Sequence, residues 1–349
     1  MLKKLLLGLA GLAGLALASP SAARDIGGIA CQTPPPARCS GASCTPETLG
    51  NRGNVVDEKT GRSFFLDYPC DLKPGEKVVL ILNIHGAGSI GNWQRHYFPA
   101  VDYKDKYRLV VATPTADGSG NIGGGAGPGV RMWMPDKDDA HLRNITELVF
   151  EAFGRENIKS FWLAGHSQGG ATSHRIVCSD FYRNKVDGLL SLSGGRVGPA
   201  PFVAAFGPPG PDGKPPAPRP AGARLGAAGA PACDFSHIFA VGQHEIESLG
   251  ETSPLAERFG CAPRVRREVV DDQAGHVEDS ARKGYPVWGM SARPGKAEVY
   301  TYPNCKDGRV VADVVRLDKG HTEGLEPRIT EEIVKLMVSA KGGKAQGGG

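Results

Sequence analysis

The sequence has no stripe of lysine and arginine, no pair of C-x-x-C knuckles, no H-E-x-x-H helix and, beyond Ala18, no apolar run long enough to cross a bilayer. Each absence removes a class of function. Binding to a phosphate backbone needs clustered cationic charge, and 41 Lys and Arg against 37 Asp and Glu leave a formal net charge of only +4. No nucleic-acid partner is therefore expected. Without knuckles or paired helical histidines no zinc site is expected either, and the chemistry read below needs no cofactor. The 49 Gly and 27 Pro carry no fibrous repeat and imply that much of the chain is loop. The glycine run from Asn121 to Gly127 lacks the Lys-[Ser/Thr] of a P-loop and a following helix pattern, so it reads as a mobile loop.

What is present begins with an export signal over residues 1–23. Lys3 and Lys4 precede an apolar run from Leu5 to Ala18, and small residues follow. Cleavage after Ala18 or Ala23 removes both lysines, lowers the formal charge from +4 to +2 and leaves no segment for stable membrane insertion. A secreted or periplasmic product is the expectation. All 8 cysteines lie beyond the signal, and an even number in an exported chain favours disulfides. Gly28-Ile29-Ala30-Cys31 lies too far past the apolar run for a lipoprotein box.

Residues 24–61, rich in Cys and Pro, read as an irregular disulfide-stapled lead-in, with regular structure beginning at Arg62. Strands are predicted over Arg62–Tyr68, Val78–Ile84, Arg108–Ala112, Lys159–Ala164, Gly188–Ser193, His237–Gly242 and Val310–Leu317. Helices are predicted over Asp139–Phe153, capped by Asp138-Asp139, and over Gln168–Cys178 and Arg328–Val338. Alternating strands and helices predict an α/β fold, one catalytic domain over 62–339 with a mostly parallel sheet covered on both faces. The Pro/Gly-rich stretch 196–232 reads as an insert, a lid or a plain surface segment, and 340–349 as a disordered tail. Trp93 and Trp133 are expected to pack, and the Asn144-Ile145-Thr146 sequon falls inside a predicted helix.

Gly165-His166-Ser167-Gln168-Gly169 matches G-x-S-x-G. That pattern is cheap in a glycine-rich chain, but here a buried-strand pattern precedes it and a helix of small residues follows. This is the setting of a nucleophile elbow, with Ser167 as nucleophile. A serine hydroxyl needs a base, and the chain order serine, acid, histidine leaves His174, His237, His244, His276 and His321. The contest lies between Gly275-His276 and Gly320-His321. His321 is favoured because it follows a strand pattern and precedes the last helix. Glu245, just past His237–Gly242, is the favoured acid to hold the imidazole, with Asp271 and Asp272 as rivals. Oxyanion donors are expected from the backbone of Gln168 and of Ala87, with Gly88 the alternative to Ala87.

Together, His85-Gly86, the elbow, Gly242-x-x-Glu245 and Gly320-His321-Thr322 resemble the secreted α/β-hydrolase esterases that include feruloyl esterases, acetylxylan esterases and polyhydroxybutyrate depolymerases. The resemblance covers roughly 62–337. It implies an α/β-hydrolase fold, hydrolysis of small or polymeric carboxylic esters through an acyl-enzyme, and a Cys261–Cys305 disulfide near the active site. Glu245 stands where that family more often has Asp, and Glu323-Gly324-Leu325 where it has Trp-Pro-Gly. These departures leave the acyl and alcohol groups open. A polyamide hydrolase or peptidase with the same triad, and a non-catalytic binding protein, are the alternatives.

Overall fold

In a computed structural model that describes residues 25–33, 39–40, 43–120, 129–200, 227–228, 231–279 and 285–347, ten strands form one sheet. They are β1 (Val55–Asp57), β2 (Arg62–Asp67), β3 (Val78–Ile84), β4 (Leu109–Pro114), β5 (Ile158–His166), β6 (Gly188–Leu192), β7 (Ser236–Gly242), β8 (Val265–Asp271), β9 (Gly295–Tyr302) and β10 (Val311–Leu317). The spatial order is β8-β9-β10-β7-β6-β5-β3-β4-β2-β1. From β10 through β4 every pairing is parallel; the flanking pairs are antiparallel. The expected signal and residues 201–226 and 229–230 of the 196–232 insert lie outside the described residues.

The central strands are apolar on both sides because helices cover both sides. Side chains along β3 alternate: Val78, Leu80, Leu82 and Ile84 enter one core, and Val79 and Ile81 the other. Helix α1 (Gly91–Tyr97) and helix α4 (Pro327–Ser339) pack in the second core through Trp93, Tyr97, Ile329, Ile333, Val334 and Met337. Helix α2 (Pro135–Phe153) and helix α3 (Gln168–Ile176) contribute Leu142, Ile145, Val149, Phe150 and Ile176 to the first. Strand β3 is the point where the strand order reverses, with β4 on one side and β5 on the other. The carboxyl ends of β3 and β5 therefore flank the crevice where open α/β sheets hold ligands. This strand order, with helices on both faces, is the α/β-hydrolase fold.

Several expectations are corrected. Regular structure begins well before Arg62: short strands over Asp25–Ile26 and Ile29–Ala30 pair antiparallel, a helical turn spans Pro46–Leu49, and in β1 Asp57 holds His141 (2.8 Å) and Asn144 (3.1 Å) of α2. Helix α2 starts at Pro135, whose fixed φ suits the first helical position. Asp138, rather than preceding the helix as its cap, lies in its first turn and accepts the Met134 N–H at 2.7 Å. The chain after α4 is held against the fold as far as Gln346 instead of being a disordered tail. Ala345 is buried, Gln346 donates to the Ile158 carbonyl at 3.0 Å, and the Lys344 N–H donates to Asp187 at 3.1 Å.

All 8 cysteines pair, as Cys31–Cys70, Cys39–Cys44, Cys178–Cys233 and Cys261–Cys305. The last does not lie near the candidate site. Cys305 precedes β10 and His321 follows it, so the 7 residues of that strand separate them, about 20 Å at the usual rise. Among the described residues no helix is long and apolar enough to cross a membrane.

Candidate active site

Ser167 sits between β5 and α3 with φ 52° and ψ −119°, a strained conformation for a residue with a side chain. The flanking glycines are required by close backbone contact. A Cβ at Gly165 would meet the Gly169 carbonyl carbon at 2.3 Å, and one at Gly169 would meet the Ile84 oxygen at 2.3 Å. The Ser167 N–H is held by the Leu192 oxygen at 2.8 Å. Strand, sharp turn and helix are thus packed backbone on backbone, which fixes the hydroxyl at the carboxyl edge of the sheet.

Across that edge, the loop after β7 carries Glu245 and the loop after β10 carries His321. Glu245 is fully buried, and its carboxylate accepts three bonds. His321 Nδ1 lies 2.7 Å from Oε2, while Ser193 Oγ at 2.7 Å and the Gly242 N–H at 2.8 Å reach Oε1. Because His321 Nδ1 must donate to the carboxylate, Nε2 of the neutral ring carries the lone pair. His321 is pinned through its backbone as well. Its N–H donates to the Val287 oxygen at 3.0 Å, and its carbonyl accepts His166 Nε2 at 2.8 Å and the Tyr97 hydroxyl at 3.1 Å.

His166, the neighbour of Ser167, lies ring to ring against His321 at 4.7 Å and against Tyr97 at 4.1 Å. Burial, and secondly the nearby His321, hold its pKa well below the ordinary histidine value, so it is a neutral spacer between Ser167 and the His321 loop. The half-buried Trp288 covers another side of the imidazole, with ring centroids 5.5 Å apart. Beneath the loop, Arg316 donates to the Glu323 and Gly324 oxygens at 2.7 and 2.9 Å, and the Gly320 N–H donates to Glu323 at 2.7 Å. Glu323 and Gly324 thus anchor the histidine loop from beneath.

The loop after β3 approaches from the third side. A Cβ on Gly86 would stand 3.2 Å from the Ser167 Cβ, so this backbone passes beside the hydroxyl. Gly88, the alternative donor, already gives its N–H to the Arg131 oxygen at 2.8 Å. Among the described residues the Ala87 N–H has no acceptor. Gln168 opens α3, where the first N–H groups lack helical partners. His85 is buried and its pKa is lowered to about 3 by that burial. Its Nε2 accepts the Ala116 N–H at 2.9 Å and its Nδ1 donates to the Gly86 oxygen at 2.6 Å.

The remaining candidates lie elsewhere. His276 pairs with Asp102 at 3.1 Å, which is its main reason for a raised pKa. Asp271 holds the Arg328 N–H at the start of α4, and Asp272 pairs with Arg328 on the surface at 3.2 Å. His174 bonds to the Gly195 oxygen at 3.1 Å, His237 is buried at the start of β7, and His244 pairs with Asp318 at 2.8 Å. Trp93 and Trp133 are buried as expected. The sequence reading missed Ser193, His166 and Trp288. None had a signal in the chain: Ser193 follows a buried strand with a φ of 53°, a conformation uncommon for a residue with a side chain. Among the described residues no cluster of His, Cys, Asp and Glu is arranged to hold a metal ion.

No protein-family model and no curated protein matches the chain. Among solved structures, an acetyl xylan esterase from Aspergillus awamori is similar over 81% of this chain and 96% of its own, at 12% identity and a TM-score of 0.42. The apo form of Thermogutta terrifontis esterase 2 is similar over 60% of this chain and 73% of its own, at 11% identity and a TM-score of 0.29. FphF, a fluorophosphonate-binding serine hydrolase of Staphylococcus aureus, aligns over 38% of this chain, at 16% identity and a TM-score of 0.27. The chain spans about half (51%) of that structure's length. The fold assignment rests on the strand order itself.

Proposed function

We propose that the protein is an exported serine hydrolase that cleaves carboxylic esters through Ser167, His321 and Glu245. The observation that carries the reading is the buried 2.7 Å contact between His321 Nδ1 and Glu245, on the same sheet edge as the strained Ser167. Such a pair leaves Nε2 as a base and holds the ring when it becomes positive. In the reaction, His321 takes the Ser167 proton as Oγ bonds to the ester carbonyl carbon. The Gln168 and Ala87 N–H groups receive the resulting oxyanion. His321 then gives that proton to the alkoxide as the C–O bond breaks. Water, deprotonated by His321, attacks the acyl-enzyme and releases the carboxylic acid. The residues shared with feruloyl, acetylxylan and polyhydroxybutyrate esterases support an ester of that group as substrate. The apolar N-terminal run and the four disulfides support export.

The test is turnover of p-nitrophenyl butyrate by the purified chain and by Ser167→Ala. Wild-type turnover that falls at least ~1,000-fold in the variant, with an unchanged circular dichroism spectrum, supports the assignment. Equal activity of the two proteins overturns it.

A further inference from the structure

The side chain of Gln168 is taken up by the backbone of Trp133. Its Oε1 accepts the Trp133 N–H at 3.0 Å and its Nε2 donates to the Trp133 carbonyl at 3.0 Å. An amide gripping both backbone groups of one residue fixes that residue in distance and in rotation. The buried Trp133 indole continues the connection: its Nε1–H donates to the His85 carbonyl at 2.8 Å, and the two rings lie 4.8 Å apart. Two residues back, the Arg131 carbonyl accepts the Gly88 N–H at 2.8 Å. Residues 131–133 therefore form a strap that bonds to both ends of the loop after β3, at His85 and Gly88, and to the first residue of α3. His85 ties the strap's inner end to its own loop through its bond to the Gly86 oxygen.

Resting on the function proposed above, we infer that Gln168 and Trp133 are positioning residues that hold the two halves of the oxyanion hole at a fixed separation. The halves belong to different strands, the Ala87 N–H to the loop after β3 and the Gln168 N–H to the turn after β5. Nothing in the parallel pairing of β3 with β5 sets the aim of N–H groups beyond the strand ends. The strap does so: the Gln168 side chain and the Trp133 indole close a ring of hydrogen bonds that runs from one donor's residue to the loop of the other. Both backbone N–H groups survive substitution of these side chains. The expected loss is one of alignment, felt where charge develops on the carbonyl oxygen and not where the neutral ester binds.

The experiment uses the full chain with Gln168→Ala, Trp133→Phe and the double variant, the second keeping the ring and deleting only the indole donor. Measured are kcat and KM for p-nitrophenyl butyrate, the inhibition constant of an aryl trifluoromethyl ketone that forms a tetrahedral oxyanion adduct, and the thermal midpoint. Each single variant is expected to lower kcat by about 10- to 100-fold, with KM within ~3-fold and the ketone's inhibition constant rising in step with the fall in kcat. The double variant is expected to be no more than ~3-fold worse than the poorer single one, because both break one ring of bonds. Unchanged kcat and ketone affinity in both single variants would overturn the inference, as would loss of kcat with unchanged ketone affinity. Should Trp133→Phe not fold, the part-buried Gln168→Ala decides alone. Absence of wild-type turnover would instead count against the function itself, which separates the two failures.

Discussion

Ser193 shows what a single residue contributes at this site. It holds a positive φ of 53°, and its hydroxyl is one of three donors on the Glu245 carboxylate. Removing it leaves Oε1 with the Gly242 N–H alone, and a hydrogen bond to a charged acceptor is worth roughly 1.5–3 kcal/mol. Ser193→Ala is expected to lower kcat/KM by about 10-fold or more through reorientation of the His321 ring, as steady-state kinetics would show. His276→Ala tests the rival histidine: with its partner Asp102 away from the elbow, kcat/KM is expected to stay within ~2-fold. Ser167, Glu245 and His321 stood out in the sequence as candidates because each follows a strand pattern in the order serine, acid, histidine. Ser193, His166 and the Gln168 side chain did not, because their partners are carbonyls, a carboxylate and backbone groups from distant loops, which leave no spacing in the chain.

Among the elements, legibility followed burial. Strands β3, β5 and β7 carry apolar centres, over 78–82, 161–164 and 238–241, because both faces are covered, and their predicted positions fall within two residues of the observed bounds. Strand β8 reads Val-Arg-Arg-Glu-Val-Val-Asp and is mostly exposed at the sheet edge, and β9 is half polar, so neither shows the buried-strand pattern. Helix α1 escaped for the opposite reason. Its polar residues are buried and paired, Arg95 with Asp67 at 2.7 Å and Gln94 with Asn83 at 2.8 Å, so it has no apolar stripe. Capping was equally hidden: Asp271, at the end of β8, accepts the Arg328 N–H fifty-seven residues later. Asp271→Ala is expected to lower the unfolding free energy by about 1 kcal/mol through loss of that cap, measured by urea titration. Its kcat should be unchanged.

At the scale of the molecule, the buried histidines set an acid limit. Burial lowers the pKa of His85, His141, His166, His174 and His237 below the ordinary 6.5. His276 is raised, chiefly by Asp102. For the five, the unfolded chain binds protons that the folded chain refuses, so stability is present above pH 6.5 and lost as pH falls below it. His276 opposes this, since its raised value adds stability on acidification. The five outnumber the one, so acidification below pH 6.5 destabilises the fold on balance. The urea midpoint is expected to fall between pH 6.5 and 5, before most carboxylates titrate; a midpoint that holds steady or rises over that window would contradict this reading.

In the proposed reaction, position 167 carries the activated hydroxyl and position 321 activates it. A fluorophosphonate reports on both, because it bonds covalently to a serine only when a neighbouring base takes the proton. Intact-mass measurement followed by peptide mapping should find one adduct, on Ser167, formed at least ~100-fold more slowly in His321→Ala and absent in Ser167→Ala. Labelling of any other serine, or labelling of Ser167 at an unchanged rate without His321, would contradict the account.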